Sequence, residues 1–252
     1  MNLDPTTPSI PSSPTIVVVN ADDFGLSDGV SRAIVRAHVE GIVTSTSVMV
    51  RATAVERAIE MARDHPALGL GLHLDLGEWA VRDGEWRALY SVVDTGDADA
   101  VAAEIARQLE RFRALVGADP THIDSHQHVH RGEPIASAAR SLARKLDVPL
   151  RHTRSGARYH GDFYGQDGDG ATRRAWISVD ALVSLIERIE PGVNEIACHP
   201  GEPDDPAIAS TMYRAERALE LEALCDPRVR EAVGRAGINL RSFRDMGFVV
   251  VP

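Results

Sequence analysis

Thr15-Ile16-Val17-Val18-Val19-Asn20-Ala21-Asp22-Asp23-Phe24-Gly25 is the stretch on which the fold turns. Residues 15–20 form a short β-branched run that ends at a polar cluster, as a buried strand of a parallel sheet does. An amphipathic segment follows at once. Val30, Ile34, Val35 and Val39 recur at helical spacing over 29–40, and Gly41 stops the helix. Strand, polar turn and helix make the opening half of a βαβ unit.

The same alternation continues along the chain. Residues 43–50 read as a strand, 54–63 as a helix and 67–74 as a third strand. A polar, Gly-rich stretch at 75–96 carries Trp79, Trp86 and Tyr90 and reads as irregular. Helix 97–116, strand 121–125, helix 134–146 and a short strand 148–152 come next, before a second irregular stretch at 153–176. A helix at 179–189, a strand at 194–199, helices at 211–225 and 227–235, a strand at 238–240 and an apolar tail at 248–251 complete the pattern. Such alternation predicts an α/β fold, a parallel sheet with crossover helices. Seven or so units without a linker fit a closed or nearly closed barrel better than an open sheet. Residues 1–14 read as a disordered Pro/Ser/Thr tail and 15–252 as one domain.

Composition narrows the function classes. With 44% hydrophobic residues in 252, the chain can bury one large core. A formal charge of −10 opposes nucleic acid and other polyanions as partners. No apolar run is long enough to span a membrane, and no secretory segment is seen, so the expected location is cytoplasmic. Cys198 and Cys225 form neither a disulfide framework nor a zinc knuckle, and Cys198 reads as a small buried hydrophobe.

Chemistry-bearing residues fall where strands end, which is where parallel α/β folds gather their sites. Asp22 and Asp23 follow the first strand and His73 closes the third. Asp124, His126 and His128 close the fourth, and His199 closes the strand at 194–199. Neighbouring residues on a regular strand face opposite ways, so Asp22 and Asp23 can share a cavity only beyond a turn, which Gly25 permits. In the run Thr121-His122-Ile123-Asp124-Ser125-His126-Gln127-His128-Val129-His130, His126 pairs with His128 if the chain is extended and with His130 if it is helical. Either pair can hold one cation, and Asp124 can orient a liganding imidazole. His122, at the start of its strand, is expected away from the site. One carboxylate and two imidazoles leave positions open for water and substrate, the arrangement of a catalytic rather than structural centre.

With these residues assembled, the sequence resembles the YdjC-like carbohydrate deacetylases, the family of chitooligosaccharide and hopanoid-biosynthesis deacetylases. The matching segments are VVVNADDFGLSDGVSRAI, GIVTSTSVMV, LGLGLHLDL, PTHIDSHQHVH, NEIACHPGEPDD, STMYRAERALELEALCDPRVR and GINLRSF, spanning roughly residues 15–244. The resemblance implies a distorted (β/α) barrel and one divalent metal, Mg2+ or Zn2+. It implies Asp23, His73 and His126 as metal ligands, Asp22 as general base and His199 as general acid. Arg151 would hold or tune the base, and His128 would lie behind the ligands or touch substrate. The implied reaction is hydrolysis of an N-acetyl group on an amino sugar. Homodimerisation is common among such relatives.

Glu202 stands after Cys198-His199-Pro200-Gly201 where many relatives have an aromatic, so Trp79, Trp86 or Tyr164 would have to supply a sugar platform. Two other readings share the scaffold: an amidase or esterase on a non-sugar acyl compound, and a non-catalytic sugar-binding protein. Chemically competent residues at every proposed position argue against the last.

Overall fold

The computed structural model describes residues 13–153, 157–208 and 211–246. The first twelve residues of the expected tail and the apolar segment 248–251 lie outside the described residues. β1 (Thr15–Phe24) is the central strand, longer than predicted because it runs on through both aspartates. Around it come β2 (Ser45–Val48), β3 (Gly69–Leu74), β6 (Ile123–Ser125), β7 (Arg158–His160), β8 (Gly192–Cys198) and β9 (Asn239–Leu240). The parallel order is β6-β3-β2-β1-β8-β7, and β9 pairs with the first half of β1. Seven strands thus form a curled sheet that stays open between β6 and β7, a half-barrel.

Helices α1 (Asp28–Val39), α2 (Val55–Arg63), α3 (Ala98–Val116), α4 (Ile135–Leu146), α5 (Val179–Glu187), α6 (Ala215–Cys225) and α7 (Pro227–Arg235) make the crossovers. Strand β1 shows how the layers divide. Val17, Val19 and Ala21 join the main apolar core, whereas Val18, between them, packs with Ala157 and Phe243. α1 begins at Ser27, whose hydroxyl accepts from the Val30 N–H, and its buried face includes Val30, Ile34 and Ala37. No helix among the described residues is long and apolar enough to cross a membrane.

Two segments depart from the sequence reading. The stretch read as irregular at 75–96 holds an antiparallel hairpin, β4 (Gly77–Arg82) and β5 (Glu85–Ser91). Asp83 (φ 55°) and Gly84 (φ 79°) turn it, the left-handed pair a two-residue hairpin requires. The strand expected at 148–152 is absent. Leu150 makes a single bridge to Ile123, and His152, at φ 63°, turns the chain out of the sheet. The edge strand is β7 instead, inside the second stretch read as irregular.

Candidate functional site

Asp22 and Asp23 share one cavity because the strand breaks its own alternation. Asp23 adopts φ 72°, and the β1–β2 register slips between Ala21 and Phe24. The left-handed residue, rather than Gly25 alone, turns both carboxylates to one side and returns Phe24 to the core. Asp and Asn tolerate this conformation better than other residues with a side chain.

His73 and Asp124 are register partners on β3 and β6, and His73 Nδ1 lies 2.7 Å from Asp124 Oδ1. That bond leaves Nε2 facing Asp23 Oδ1 at 3.4 Å. His126 follows β6 on a short 3-10 turn, His126–Arg131, in which Gln127 (φ 50°) and His128 (φ 55°) are left-handed. Neither the extended nor the helical expectation describes this turn. His126 swings to Asp23 (Nδ1 to Oδ1, 3.2 Å), while His128 points toward His152 and Tyr159, whose hydroxyl lies 3.3 Å from its Nε2. His130 is buried beneath, between Ser125 Oγ (2.6 Å) and the Arg151 carbonyl (3.1 Å). His122 stays out of the cavity, as expected, 3.0 Å from Ser47 Oγ.

One ligand atom from each of Asp23, His73 and His126 lies within 4.8 Å of the others. His73 Nε2 and His126 Nε2 are buried without a hydrogen bond among the described residues. Two orphaned imidazole nitrogens beside a carboxylate suit a divalent metal, and the nitrogen donors match zinc more closely than magnesium, which prefers oxygen ligands. Without a cation, burial opposes the charge on His73, yet Asp124 outweighs it and holds the imidazole's pKa up at about 10. Asp22 lies outside this trio. Arg151 grips it with two bonds, 2.6 and 2.8 Å, and also reaches Asp124 (2.9 Å) and Glu195 (2.7 Å). Burial opposes ionisation of Asp22, but Arg151 prevails and keeps it below the usual carboxylate range. Glu195 is the group that yields, pushed up to about 7 by burial against the pull of Arg151.

His199, at the end of β8, places Nε2 3.7 Å from Asp22 Oδ2, and its Nδ1 has no hydrogen-bond partner among the described residues. Burial, only partly offset by Asp22, lowers its pKa to about 4. Tyr213 and Tyr164 stack on each other (4.5 Å, 8°) and both meet the His199 ring edge-on. Cys198 beside it is buried against the Asn20 carbonyl with its thiol pKa pushed up by burial, so it behaves as the expected hydrophobe.

The sequence reading missed two residues of α6. Arg217 donates to Asp23 Oδ2 at 2.5 Å, and Glu220 accepts from the His199 backbone N–H and the Tyr213 hydroxyl. Burial and Arg217 act oppositely on Asp23, and Arg217 wins, holding it well below the ordinary value. The spacing of Arg217 and Glu220 shows only that they share a helical face, which for charged residues usually means solvent. Asp22, Asp23, His73, His126, His199 and Arg217 line one cavity of about 570 Å³. Trp79, Trp86 and Tyr164, the three candidate platforms, all line it, as does His128. The Gln127 amide ties the hairpin to the histidine turn, accepting from Trp79 N–H (2.9 Å) and donating to its carbonyl (2.7 Å).

The model of the YdjC-like protein family matches residues 16–235, most of the chain. The chain belongs to the YdjC-like family. A carbohydrate deacetylase of Geobacillus stearothermophilus is 36% identical to this YdjC-like protein, over 92% of this chain and 98% of the relative. A chitooligosaccharide deacetylase of Salmonella typhimurium is 33% identical, with 92% and 99% covered. Among solved structures, an Enterococcus faecalis V583 protein named for cellobiose-phosphate cleavage superposes with a TM-score of 0.76 at 27% identity, covering 92% of this chain and 99% of that one. A family 4 carbohydrate esterase from Streptomyces lividans, solved with acetate, shares the fold at a TM-score of 0.56 and 16% identity, with 96% and 100% covered.

Proposed function

We propose that this YdjC-like protein is a metal-dependent hydrolase that removes the N-acetyl group from an amino sugar, free or within an oligosaccharide or glycolipid. The observation that carries the reading is the convergence of Asp23, His73 and His126, two of them with orphaned nitrogens, beside the Arg151-bound Asp22. Full-length similarity to proteins named as carbohydrate deacetylases supports the substrate class.

Asp23, His73 and His126 would hold one divalent ion, Mg2+ or Zn2+, which when bound supplies a Lewis acid to polarise the amide carbonyl. Asp22, kept ionised and aimed by Arg151, accepts a proton from the attacking water. The water oxygen bonds to the acyl carbon, and collapse of that adduct breaks the C–N bond. His199 rests neutral, so it takes a proton from Asp22, 3.7 Å away, before giving it to the departing amine nitrogen. Acetate and a free amine leave, and both side chains return to their starting state. The Tyr164–Tyr213 stack and the hairpin tryptophans present apolar faces to the sugar ring.

Acetate release from N-acetylglucosamine and its oligomers tests the reading, with metal-stripped protein and protein resupplied with Mg2+ or Zn2+ run side by side. Release that follows the metal supports it. Turnover of a simple amide with neither sugar hydrolysed overturns the substrate assignment, and full activity after stripping overturns the metal.

A further inference from the structure

Beside the main cavity lies a second, of about 380 Å³, and Gly161, Tyr164 and Gln166 line both. Gln166 is only 9% exposed, yet its side-chain amide hydrogen-bonds to no group among the described residues. The amide lines both cavities, so its donors and acceptor are open to a ligand entering either one. On the second cavity's wall stands Trp176, a residue 46% exposed. The turn that carries it is firmly held. The Arg173 guanidinium lies 5.9 Å from the indole ring centre and is anchored by Asp167 at 2.6 Å, while neighbouring Ile177 is buried.

We propose that this second cavity is a saccharide subsite, in which Trp176 and Gln166 hold the sugar unit next to the one being deacetylated. The proposal rests on the deacetylase reading and extends it to a substrate at least two units long. An amide offers a donor and an acceptor together, matching the paired hydroxyl and acetamido groups of a pyranose. An exposed indole matches the apolar C–H face of such a ring. Asp162 and Arg188, of opposite charge, both line the cavity, which favours a neutral sugar over an anionic one. Tyr164, on the shared wall, would lie where the two units join.

The experiment compares kcat/KM for N-acetylglucosamine and its β-1,4-linked dimer in the wild type, Trp176→Ala, Trp176→Phe and Gln166→Ala. The wild type is expected to prefer the dimer by about tenfold, the factor a stacked ring supplies. That preference should collapse in Trp176→Ala and Gln166→Ala and persist largely in Trp176→Phe. Equal use of both sugars by the wild type, or a preference that survives both alanine variants, overturns the subsite and leaves the deacetylase reading standing. Acetate release from neither sugar overturns the deacetylase reading. The subsite is then decided by calorimetric binding of the unacetylated glucosamine dimer: about tenfold weakening in Trp176→Ala supports it, and unchanged or absent binding overturns it.

Discussion

Asp22 and Arg151 meet through two hydrogen bonds, Nη1 to Oδ2 at 2.6 Å and Nη2 to Oδ1 at 2.8 Å, with both side chains almost wholly buried. The same guanidinium serves Asp124 and Glu195, so one cation sits among three carboxylates. Such an arrangement fixes a proton acceptor in direction at the expense of its basicity.

Asp22→Asn should lower kcat for acetate release by about 10²–10⁴-fold, the usual contribution of a positioned base. Bound metal, measured by elemental analysis, should stay at the wild-type level because Asp22 stands outside the Asp23, His73 and His126 trio. Near-normal turnover would remove Asp22 from the role of base.

Arg151→Met should cost about 3–5 kcal/mol in urea unfolding, since Asp22, Asp124 and Glu195 lose their shared cation inside the protein. A loss below about 1 kcal/mol would mean that water reaches these carboxylates far more freely than their burial implies.

Much of this was legible in the sequence, for reasons that differ residue by residue. The β-branched run before Asp22 marks a buried strand, His73 and His199 are conspicuous because each ends an apolar run, and His126 because it stands in a histidine-dense stretch. The left-handed turn at Asp23 was not legible, since Asp only tolerates that conformation and does not demand it. Asp83-Gly84 did carry a hairpin signal. The β5 strand after it is exposed throughout, so the alternation that would have supported a strand is missing. Arg217 and Glu220 look like solvent-facing helix charges, and only tertiary packing reveals that they grip Asp23 and the His199 backbone.

His126→Ala should lose both metal and turnover, whereas His128→Ala should keep its metal. The two left-handed residues after His126 send the imidazoles apart, one to Asp23 and the other to Tyr159. Equal metal loss in both variants, measured on purified protein, would contradict that division.

Metal binding should release close to one proton and strengthen with pH. His73 carries a raised pKa, about 10, so below it the cation must displace the imidazolium proton. The apparent Kd should fall about tenfold per pH unit between pH 6 and 8. Calorimetry in buffers of different ionisation enthalpy reads the proton count, and a count near zero would show that His73 is already neutral.

His130 should make the fold acid-sensitive. Burial is the chief cause that lowers its pKa to about 4, below the unfolded value of 6.5. A depressed pKa contributes stability that is present above pH 6.5 and lost as pH falls through 4. The loss amounts to roughly 3 kcal/mol once both states are protonated. His130→Gln, which cannot take up that proton, should lose less stability than the wild type between pH 6.5 and 4 in urea titrations. Parallel losses in the two proteins would place the acid sensitivity elsewhere.

The φ of 72° at Asp23 makes this position answer to two masters, the backbone and the chemistry. A descendant released from catalysis would still be confined there to Asp, Asn or Gly, because a β-branched replacement would strain the turn whatever the cavity held. Asn at residue 23 in a relative would therefore be ambiguous testimony about lost activity, whereas Val or Ile would signal that the strand itself had been rebuilt.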